Sequence, residues 1–327
     1  MKALVYTGPE ALDYREMADP APQEGEALIR VESVGICGSD MHAYLGHDER
    51  RPAPLVLGHE AAGVVLSGAM TGARVTVNPL VTCGTCPACR SGRDNLCSTR
   101  QIISMPPREG AFAGLLAMPE RNLVAVPEHM TTHQAALAEP IACGWHGVRL
   151  GRAVLSEGAQ RALVLGGGAI GLGAALSLAA QGIADVTMVE PHAARRAFLD
   201  LRCDQKAIAP DALDPSEQFD IVVDGVGYEA TRAQASAHAR PGGVIVHIGL
   251  GQAMGGLDIR RMTLQEITFI GTYTYTAQDF RDCAQAMFDG RLGALDWVEE
   301  RALSDGARAF ADIRGGRVTS PKIILVP

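Results

Sequence analysis

The chain has 327 residues, 47% of them hydrophobic and 20% charged, which is typical of a globular protein with room for two domains. A net charge of −8, with scattered basic pairs, excludes the phosphate-binding patch of a nucleic-acid binder. No apolar run approaches the roughly 20 residues that cross a bilayer, and the N-terminal stretch lacks a signal core, so we expect a cytoplasmic protein with no nucleic-acid or membrane partner.

The first part of the chain, up to about Val126-Pro127, predicts a β-rich domain. Its expected short strands are separated by glycine and proline. These strands are KALVY, EALIRVESV, EAAGVVL, ARVTV and NLVAV. The only helix-like stretch there is brief, from about Ser39 to Leu45. A longer helical segment, from about Thr132 to Leu150, then leads into a different pattern.

The rest of the chain alternates strands with helices, which predicts βαβ units and a doubly wound parallel sheet. The expected strands are residues 161–166, residues 185–190, FDIVVDGVG, GGVIVHIG and ITFIGTY. The expected helices are Ala169–Gln181, residues 192–202 and residues 229–239. Helices at 277–289 and 305–313 and the strand KIILVP close the chain. The fold class we expect is therefore α/β, with one β-rich and one parallel-sheet domain.

Four cysteines in one loop-rich stretch predict a metal site. Their spacing is C-x2-C-x2-C-x7-C, at Cys83, Cys86, Cys89 and Cys97. Four thiolates close together bind one tetrahedral Zn²⁺, and a site closed in this way stabilises a fold and does not catalyse. Unrelated or disulfide-bonded thiols are the alternative, which the lack of a secretion signal disfavours.

A glycine-rich sequence, Gly166-x-Gly168-x-x-Gly171, directly follows the strand RALVL and opens a helix. In this context it predicts a dinucleotide site. Gly166 permits a tight turn, Gly168 lets the backbone approach a diphosphate, and Gly171 lets the helix pack closely on the strand. The free N–H groups of the helix N-terminus favour the diphosphate charge. A glycine-rich turn without a ligand is the alternative.

Glu190 ends the next strand, where an acid binds the adenosine ribose and repels a 2′-phosphate. This favours NAD over NADP. Arg195 and Arg196 complicate the prediction, because an arginine there could hold that phosphate or could simply belong to the solvated face of the second helix.

A second metal site is expected from three further segments. GICGSDMHAY contains Cys37, Ser39, Asp40 and His42; LGHEAAGVV contains His59 and Glu60; and ALAEPIACGWHGV contains Glu139. Cys37 and His59 with one carboxylate would bind Zn²⁺ and leave one position open. Taken singly, these residues could equally be a core cysteine, a satisfied core histidine and solvated acids.

The combination resembles the zinc-dependent medium-chain alcohol dehydrogenase family over nearly the whole chain. GICGSD, GHEAAGVV, CGTCPAC, AEPIACGWHG, GGGAIG and RPGGVIVHIG stand in that family's order. AEPIACGWHG is most similar to the polyol (sorbitol-type) branch. The resemblance implies a GroES-like catalytic domain at 1–140 and 274–327, with the structural zinc lobe at about 80–100, and a Rossmann NAD-binding domain at 141–273.

Carried onto this sequence, the resemblance implies catalytic zinc ligands Cys37, His59 and Glu139, with Glu60 exchanging onto the metal. It also implies that Asp40 orients His59, and that Ser39 and His42 pass a proton toward solvent. The implied structural zinc ligands are Cys83, Cys86, Cys89 and Cys97. The implied cofactor-binding residues are Gly166, Gly168, Ala169, Ile170, Gly171, Glu190, Arg195, Val226 and Gly249.

The implied activity is the reversible, NAD-dependent oxidation of a secondary alcohol, of a polyol or sugar alcohol, to the ketone. Threonine- and butanediol-type dehydrogenases share these ligands and remain alternatives. A non-enzymatic NAD-binding redox sensor is a third reading, which the complete ligand set disfavours. A zinc-less quinone-type reductase would lack the four-cysteine lobe. We also expect a homodimer or homotetramer that acts on a small-molecule substrate.

Overall fold

The computed structural model describes residues 1–156 and 158–327, and its first part is β-rich. The strands are β1 (Lys2–Gly8), β2 (Ala11–Glu16), β3 (Glu26–Gly35), β4 (Leu55–Val56), β5 (Glu60–Ser67), β6 (Arg74–Val77), β7 (Leu80–Val81), β8 (Gln101–Ile102), β9 (Leu115–Pro119) and β10 (Leu123–Ala125). Three short helices lie among or just after them, α1 (Gly38–Tyr44), α2 (Pro87–Arg90) and α3 (Thr132–Ala136).

A parallel sheet follows, with helices between its strands. The elements are α4 (Ala138–Arg152), β11 (Arg161–Leu165), α5 (Ala169–Ala180), β12 (Asp185–Val189), α6 (Ala193–Cys203), β13 (Ala207–Ile208), β14 (Phe219–Asp224), α7 (Glu229–His238), β15 (Ala239–His247), α8 (Ile259–Leu264) and β16 (Thr268–Gly271). The six strands are ordered β13-β12-β11-β14-β15-β16, and every pairing is parallel. The expected α/β fold class is confirmed.

The last elements return to the β-rich sheet. They are α9 (Ala277–Phe288), β17 (Val298–Ala302), α10 (Gly306–Arg314) and β18 (Lys322–Val326). β18 pairs antiparallel with β3 and parallel with β17, within the order β10-β6-β5-β3-β18-β17. α9 instead shares a core with α4, through side chains such as Phe280 and Met287. The domain boundaries expected from the sequence stay a prediction.

One helix differs from the expectation. The segment from Thr132 to Leu150 forms two helices, α3 and α4, which meet at Leu137. Pro140 explains the break, because it has no N–H to donate and its ring would clash with the carbonyl of the residue four positions earlier. A proline is tolerated in the first turn of a helix, so α4 begins anew just before it.

Small residues let the helices of the parallel-sheet unit pack closely. A Cβ added to Gly144 of α4 would lie 2.5 Å from the backbone N of Ala174 in α5. A larger residue at position 144 would push α4 and α5 apart. α4 therefore connects the β-rich unit, which it follows in the chain, to the helix that opens at the glycine-rich loop. Among the described residues, no helix is both long and apolar enough to span a membrane.

Candidate active site and metal centres

Two neighbouring strands bring the first candidate ligands together. β3 ends two residues before Cys37, and β5 begins at Glu60, directly after His59. The strands pair antiparallel with Gly35 opposite Glu60. Residues far apart in the sequence therefore meet at one end of this strand pair.

Cys37, His59 and Glu60 form a group that fits a metal ion. Their ligand atoms all lie within 4.8 Å of one another. His59 and Glu60 are buried, and Oε2 of Glu60 has no hydrogen-bond partner in the described part of the chain. A buried carboxylate oxygen left unpaired is costly unless a cation or a proton completes it. A thiolate, an imidazole and a carboxylate are the ligand types of an open zinc site.

The structure places the two candidate glutamates in different surroundings, and the expectation that Glu139 ligates while Glu60 exchanges stays a prediction. Oε1 of Glu139 accepts a hydrogen bond from the hydroxyl of Tyr275 at 2.7 Å, and Glu139 is outside the three-residue group. The physical reason is that Glu60 follows His59 directly on β5, whereas Glu139 is held on α4 by the buried Tyr275. Burial raises the pKa of the Glu139 carboxyl to about 7; His59 opposes this shift and Glu60 adds to it.

The ring of His59 is oriented by groups on both of its nitrogens. Nε2 lies 3.4 Å from Oγ of Ser39. Nδ1 lies 3.5 Å from Oδ1 of Asp40 and 3.4 Å from Oγ of Ser104. The Asp40 carboxylate is itself fixed by two backbone N–H donors, at 2.9 and 3.1 Å. Ser104 was not identified from the sequence, since a lone serine in a loop carries no signal.

The expected proton path lies along α1. Ser39 is beside His59, and His42 lies three residues further along and is exposed. Residues three apart are neighbours on one face of a helix. The pair therefore leads from the metal group toward solvent, and the path itself stays a prediction.

A buried lysine that was not identified from the sequence completes the surroundings of Glu60. Nζ of Lys322, in β18, donates to Oε1 of Glu60 at 2.6 Å and to the carbonyl of Ile36 at 2.9 Å. Burial opposes the charge of Lys322, but the nearby Glu60, Cys37 and Glu139 together outweigh it and keep the lysine pKa above its usual value. The sequence could have indicated a special role for Lys322, because it is one of only three lysines in the chain and it lies in an apolar strand.

The four expected cysteines of the lobe also come together. Their sulfurs are 3.5 Å apart for Cys86 and Cys89, 3.5 Å for Cys83 and Cys97, and 3.9 Å for Cys83 and Cys89. Tetrahedral bonds of about 2.3 Å separate sulfurs by roughly 3.8 Å, so the spacing fits one zinc ion. The backbone N–H of Thr85 lowers the pKa of the Cys83 thiol to about 5, which favours the ligating thiolate.

The glycine-rich loop has the geometry that the sequence predicted. Gly166 has φ +98°, and Gly168 caps α5, whose first turn contains Ala169, Ile170 and Gly171. A Cβ added to Gly171 would overlap with the carbonyl oxygen of Gly166. Val226 lies against Gly166, and Gly249 lies against the backbone of Val226. These residues therefore lie at the N-terminus of α5 or in contact with the loop that precedes it, and their binding of a cofactor stays a prediction.

Glu190 and the two arginines are placed differently from one another. The buried carboxylate of Glu190 accepts the N–H groups of Gly167 at 2.8 Å and His192 at 2.7 Å, so it faces the glycine-rich loop. Arg195 donates to the carbonyls of Val318, Thr319 and Ser320, away from that loop. Arg196 donates to the carbonyls of Glu190 and Pro191.

Comparisons with known proteins match both parts of the chain. Residues 23–128 match the model of the alcohol dehydrogenase GroES-like domain, and residues 169–289 match that of zinc-binding dehydrogenase. L-galactonate-5-dehydrogenase of Escherichia coli K12 is 33% identical over 90% of this chain and 89% of its own. Sorbitol dehydrogenase of Bacillus subtilis is 31% identical over 84% and 82%.

The fold has a close match among solved structures. An alcohol dehydrogenase of Escherichia coli CFT073, solved with NADH, superposes with a TM-score of 0.90 at 24% identity, over 100% of this chain and 99% of that one. The resemblance to the family and the expected GroES-like and Rossmann domains are confirmed. The second family model describes a zinc-binding dehydrogenase, and the solved structure contains NADH. The chain belongs to the zinc-dependent medium-chain alcohol dehydrogenase family, on the branch of its polyol dehydrogenases.

Proposed function

We propose that this chain catalyses the reversible oxidation of a secondary alcohol in a polyol or sugar acid to the ketone, with NAD as the hydride acceptor. The observation that carries the proposal is the buried group of Cys37, His59 and Glu60, with its unpaired carboxylate oxygen. The relatives named for galactonate and sorbitol support a polyhydroxylated substrate.

The metal group and the cofactor loop are connected by α4. Glu139 begins this helix beside the metal group, and Gly144, five residues on, contacts α5. A helix rises 1.5 Å per residue, so the two contact points are separated by roughly 8 Å along its axis. α4 therefore joins the metal group to the helix that opens at the glycine-rich loop.

The ligands Cys37, His59 and Glu60 would hold the zinc ion, which supplies Lewis acidity and lowers the pKa of the substrate hydroxyl. The chain's own residues do the rest. Ser39, beside His59, takes up the hydroxyl proton as it releases its own proton toward the exposed His42, which passes a proton to water. Asp40 keeps the His59 ring in place, and Glu139, whose carboxyl lies near Glu60, would be the second carboxylate available to the zinc ion.

NAD is the cofactor that the adenosine side of the site favours. The buried charge of Glu190 at the glycine-rich loop would repel a 2′-phosphate. Arg195, through Nε and Nη2, and Arg196, through Nη1, donate to backbone carbonyls, which leaves neither guanidinium wholly free to bind a 2′-phosphate. We therefore propose that Arg195 supports the cofactor domain without reading the phosphate.

The experiment follows the near-ultraviolet absorbance of reduced nicotinamide with zinc-loaded protein. NAD and NADP are each tested against sorbitol, xylitol, galactitol, aldonates, threonine, butanediol and simple alcohols. We expect turnover of polyols or aldonates with NAD, and its loss in Cys37→Ser with NAD binding retained. Turnover of threonine or butanediol alone would show that the proposed substrate class is wrong and that the chain is a dehydrogenase of that other type. A chain with two zinc ions and no turnover would favour the non-enzymatic sensor.

We further propose a cytoplasmic homodimer or homotetramer. The eight cysteines are all free thiols, as expected in a reducing compartment. β16 is an edge strand of the parallel sheet, and Phe269 on it is partly exposed beside exposed Leu264 and Ile259. Such an edge is a template for pairing with another chain. The mass in solution by light scattering tests this, and a monomer would contradict it.

A further inference from the structure

One segment contacts both the four-cysteine lobe and the active-site helix. It comprises residues 273–279, between β16 and the first turn of α9, and is called here the linking segment. It passes between the turn before Cys97 on one side and α4 on the other. The linking segment contacts the lobe on one side and Glu139 on the other, so a chain of contacts joins the lobe to Glu139.

The lobe holds the linking segment at two backbone positions. Nδ2 of the buried Asn95 donates to the carbonyl of Tyr273 at 2.8 Å. The Asp94 carboxylate accepts the N–H of Ala277 at 3.1 Å, at the N-terminus of α9, where a negative charge is favourable. Arg100 adds a contact with the ring of Tyr273, 4.8 Å from its centroid. Asp94 and Asn95 are in the turn that leads to Cys97, so a metal held by the cysteines fixes them too.

The other side of the linking segment contacts α4. The hydroxyl of Tyr275 donates to Glu139, and Tyr275 is 1% exposed. Four residues on, Oδ2 of Asp279 lies 2.6 Å from Nδ1 of His146 and accepts from Arg149 at 2.9 Å. Glu139, His146 and Arg149 are all on α4, so the linking segment contacts this helix both at its start and further along it.

The backbone between the two sets of contacts is constrained. Thr274, between the tyrosines, has φ +46°, which is uncommon for a β-branched residue. Its hydroxyl oxygen is buried and has no hydrogen-bond partner among residues 1–156 and 158–327. A residue keeps such a conformation only when its surroundings impose it. Tyr273, held by the lobe, and Tyr275, held by Glu139, are those surroundings.

We propose that the four-cysteine lobe is a positioning element of the active centre, in which Asp94 and Asn95, acting through the linking segment, hold Tyr275 against Glu139. The lobe's metal then affects turnover as well as stability, although none of its ligands approaches the reacting atoms. The proposal goes beyond the proposed function, and it uses from it only the placement of Glu139 at the active centre.

The first test compares Asn95→Ala and Asp94→Ala with a matched control in the same lobe. Ser91→Ala is that control, because its hydroxyl bonds only within the lobe, to the carbonyl of Ala88 at 3.0 Å. All variants are purified with two metal ions per chain. We expect kcat to fall by roughly tenfold to a hundredfold in the first two, with the KM for NAD unchanged, as for a misplaced catalytic group. Ser91→Ala keeps the kcat of the unmodified chain.

The second test asks whether Asn95 acts through Tyr275. Tyr275→Phe removes the hydroxyl that holds Glu139, and we expect it to lower kcat by about as much as Asn95→Ala. In the double variant, Asn95→Ala should then have little further effect. If the two losses multiply, or if Asn95→Ala and Asp94→Ala retain full kcat, the proposal is wrong and the lobe only stabilises the fold.

A third measurement does not depend on activity. Amide hydrogen exchange followed by mass spectrometry reports peptides from residues 138–146 of α4. We expect faster exchange there in Asn95→Ala and unchanged exchange in Ser91→Ala. If this difference is present while no alcohol is oxidised, only the proposed function fails. If α4 exchanges alike in both variants, the coupling itself is refuted.

Discussion

The glycine that faces Glu60 offers the sharpest test of the metal group. A methyl group built on Gly35 would overlap with Oε2 of Glu60, roughly 1 Å closer than real Cβ contacts come. Gly35 lies in β3 between β5 and β18 and its φ is not positive, so the backbone itself accepts an alanine. The change Gly35→Ala therefore displaces the carboxylate while leaving the strands in place.

The magnitude follows from the bond lengths of zinc. Zinc–oxygen bonds measure about 2.0–2.2 Å, so a shift of roughly 1 Å takes the oxygen out of coordination. We expect Gly35→Ala to lower the affinity of this site for zinc by about tenfold to a hundredfold, and turnover by about a hundredfold. Competition with a chromogenic chelator measures the affinity. The lobe keeps its own ion, so dialysis leaves one zinc per chain.

Gly114→Ala is the control, because a Cβ there would lie 3.8 Å from its nearest neighbour, the carbonyl oxygen of Lys2. It should retain both ions and full turnover. If Gly35→Ala also keeps two zinc ions and the turnover of the control, Glu60 is not a ligand. The expectation that ranked Glu139 ahead of Glu60 would then be preferred.

Three other predictions concern charge. Lys322→Met leaves the buried Glu60 carboxylate without its cation. The free energy of unfolding of the metal-free chain, measured by urea titration, should therefore fall by about 3–5 kcal/mol. The double variant Lys322→Met with Glu60→Gln should regain most of this lost stability. Burial raises the pKa of Glu139 from 4.5 to about 7, so the folded metal-free chain retains a proton there that the unfolded chain releases, and its stability should fall as pH rises through that window. Glu139→Gln should show a smaller fall, and equal slopes would contradict the shift. Glu190→Gln should narrow the preference for NAD over NADP by roughly tenfold or more in kcat/KM, whereas an unchanged ratio would show that Glu190 does not select the cofactor.

Two of the longer helices were predictable from local sequence. The helix expected at 277–289 is α9, at Ala277–Phe288, because Thr276 and Asp279 form a capping box that marks its start. The helix expected at Ala169–Gln181 is α5, whose start is marked by the glycine-rich loop. Both patterns depend on residues three or four positions apart, which a single sequence displays directly.

The partners of the site residues were not predictable in the same way. Lys322 reaches Glu60 from a strand at the other end of the chain, and Tyr275 reaches Glu139 from beyond the parallel sheet. Such pairs depend on how strands order within a sheet and on which face each side chain takes. Composition and periodicity do not carry that information. Which of Glu60 and Glu139 is the better placed zinc ligand depends on these same partners, Lys322 and Tyr275. The spacing of the two glutamates in the sequence therefore does not decide it.

The pairing of Lys322 with Glu60 joins the last strand of the chain to a centre formed by residues from its first part. The four cysteines span only residues 83–97, so the lobe can capture its ion while most of the chain is still being made. The lysine emerges from the ribosome after every other residue of the Cys37 centre, and until β18 docks on β3 the carboxylate has no cation to hold it. The four-cysteine site can therefore close around an ion before residue 322 is made, whereas the surroundings of the Cys37 centre are complete only once β18 has docked.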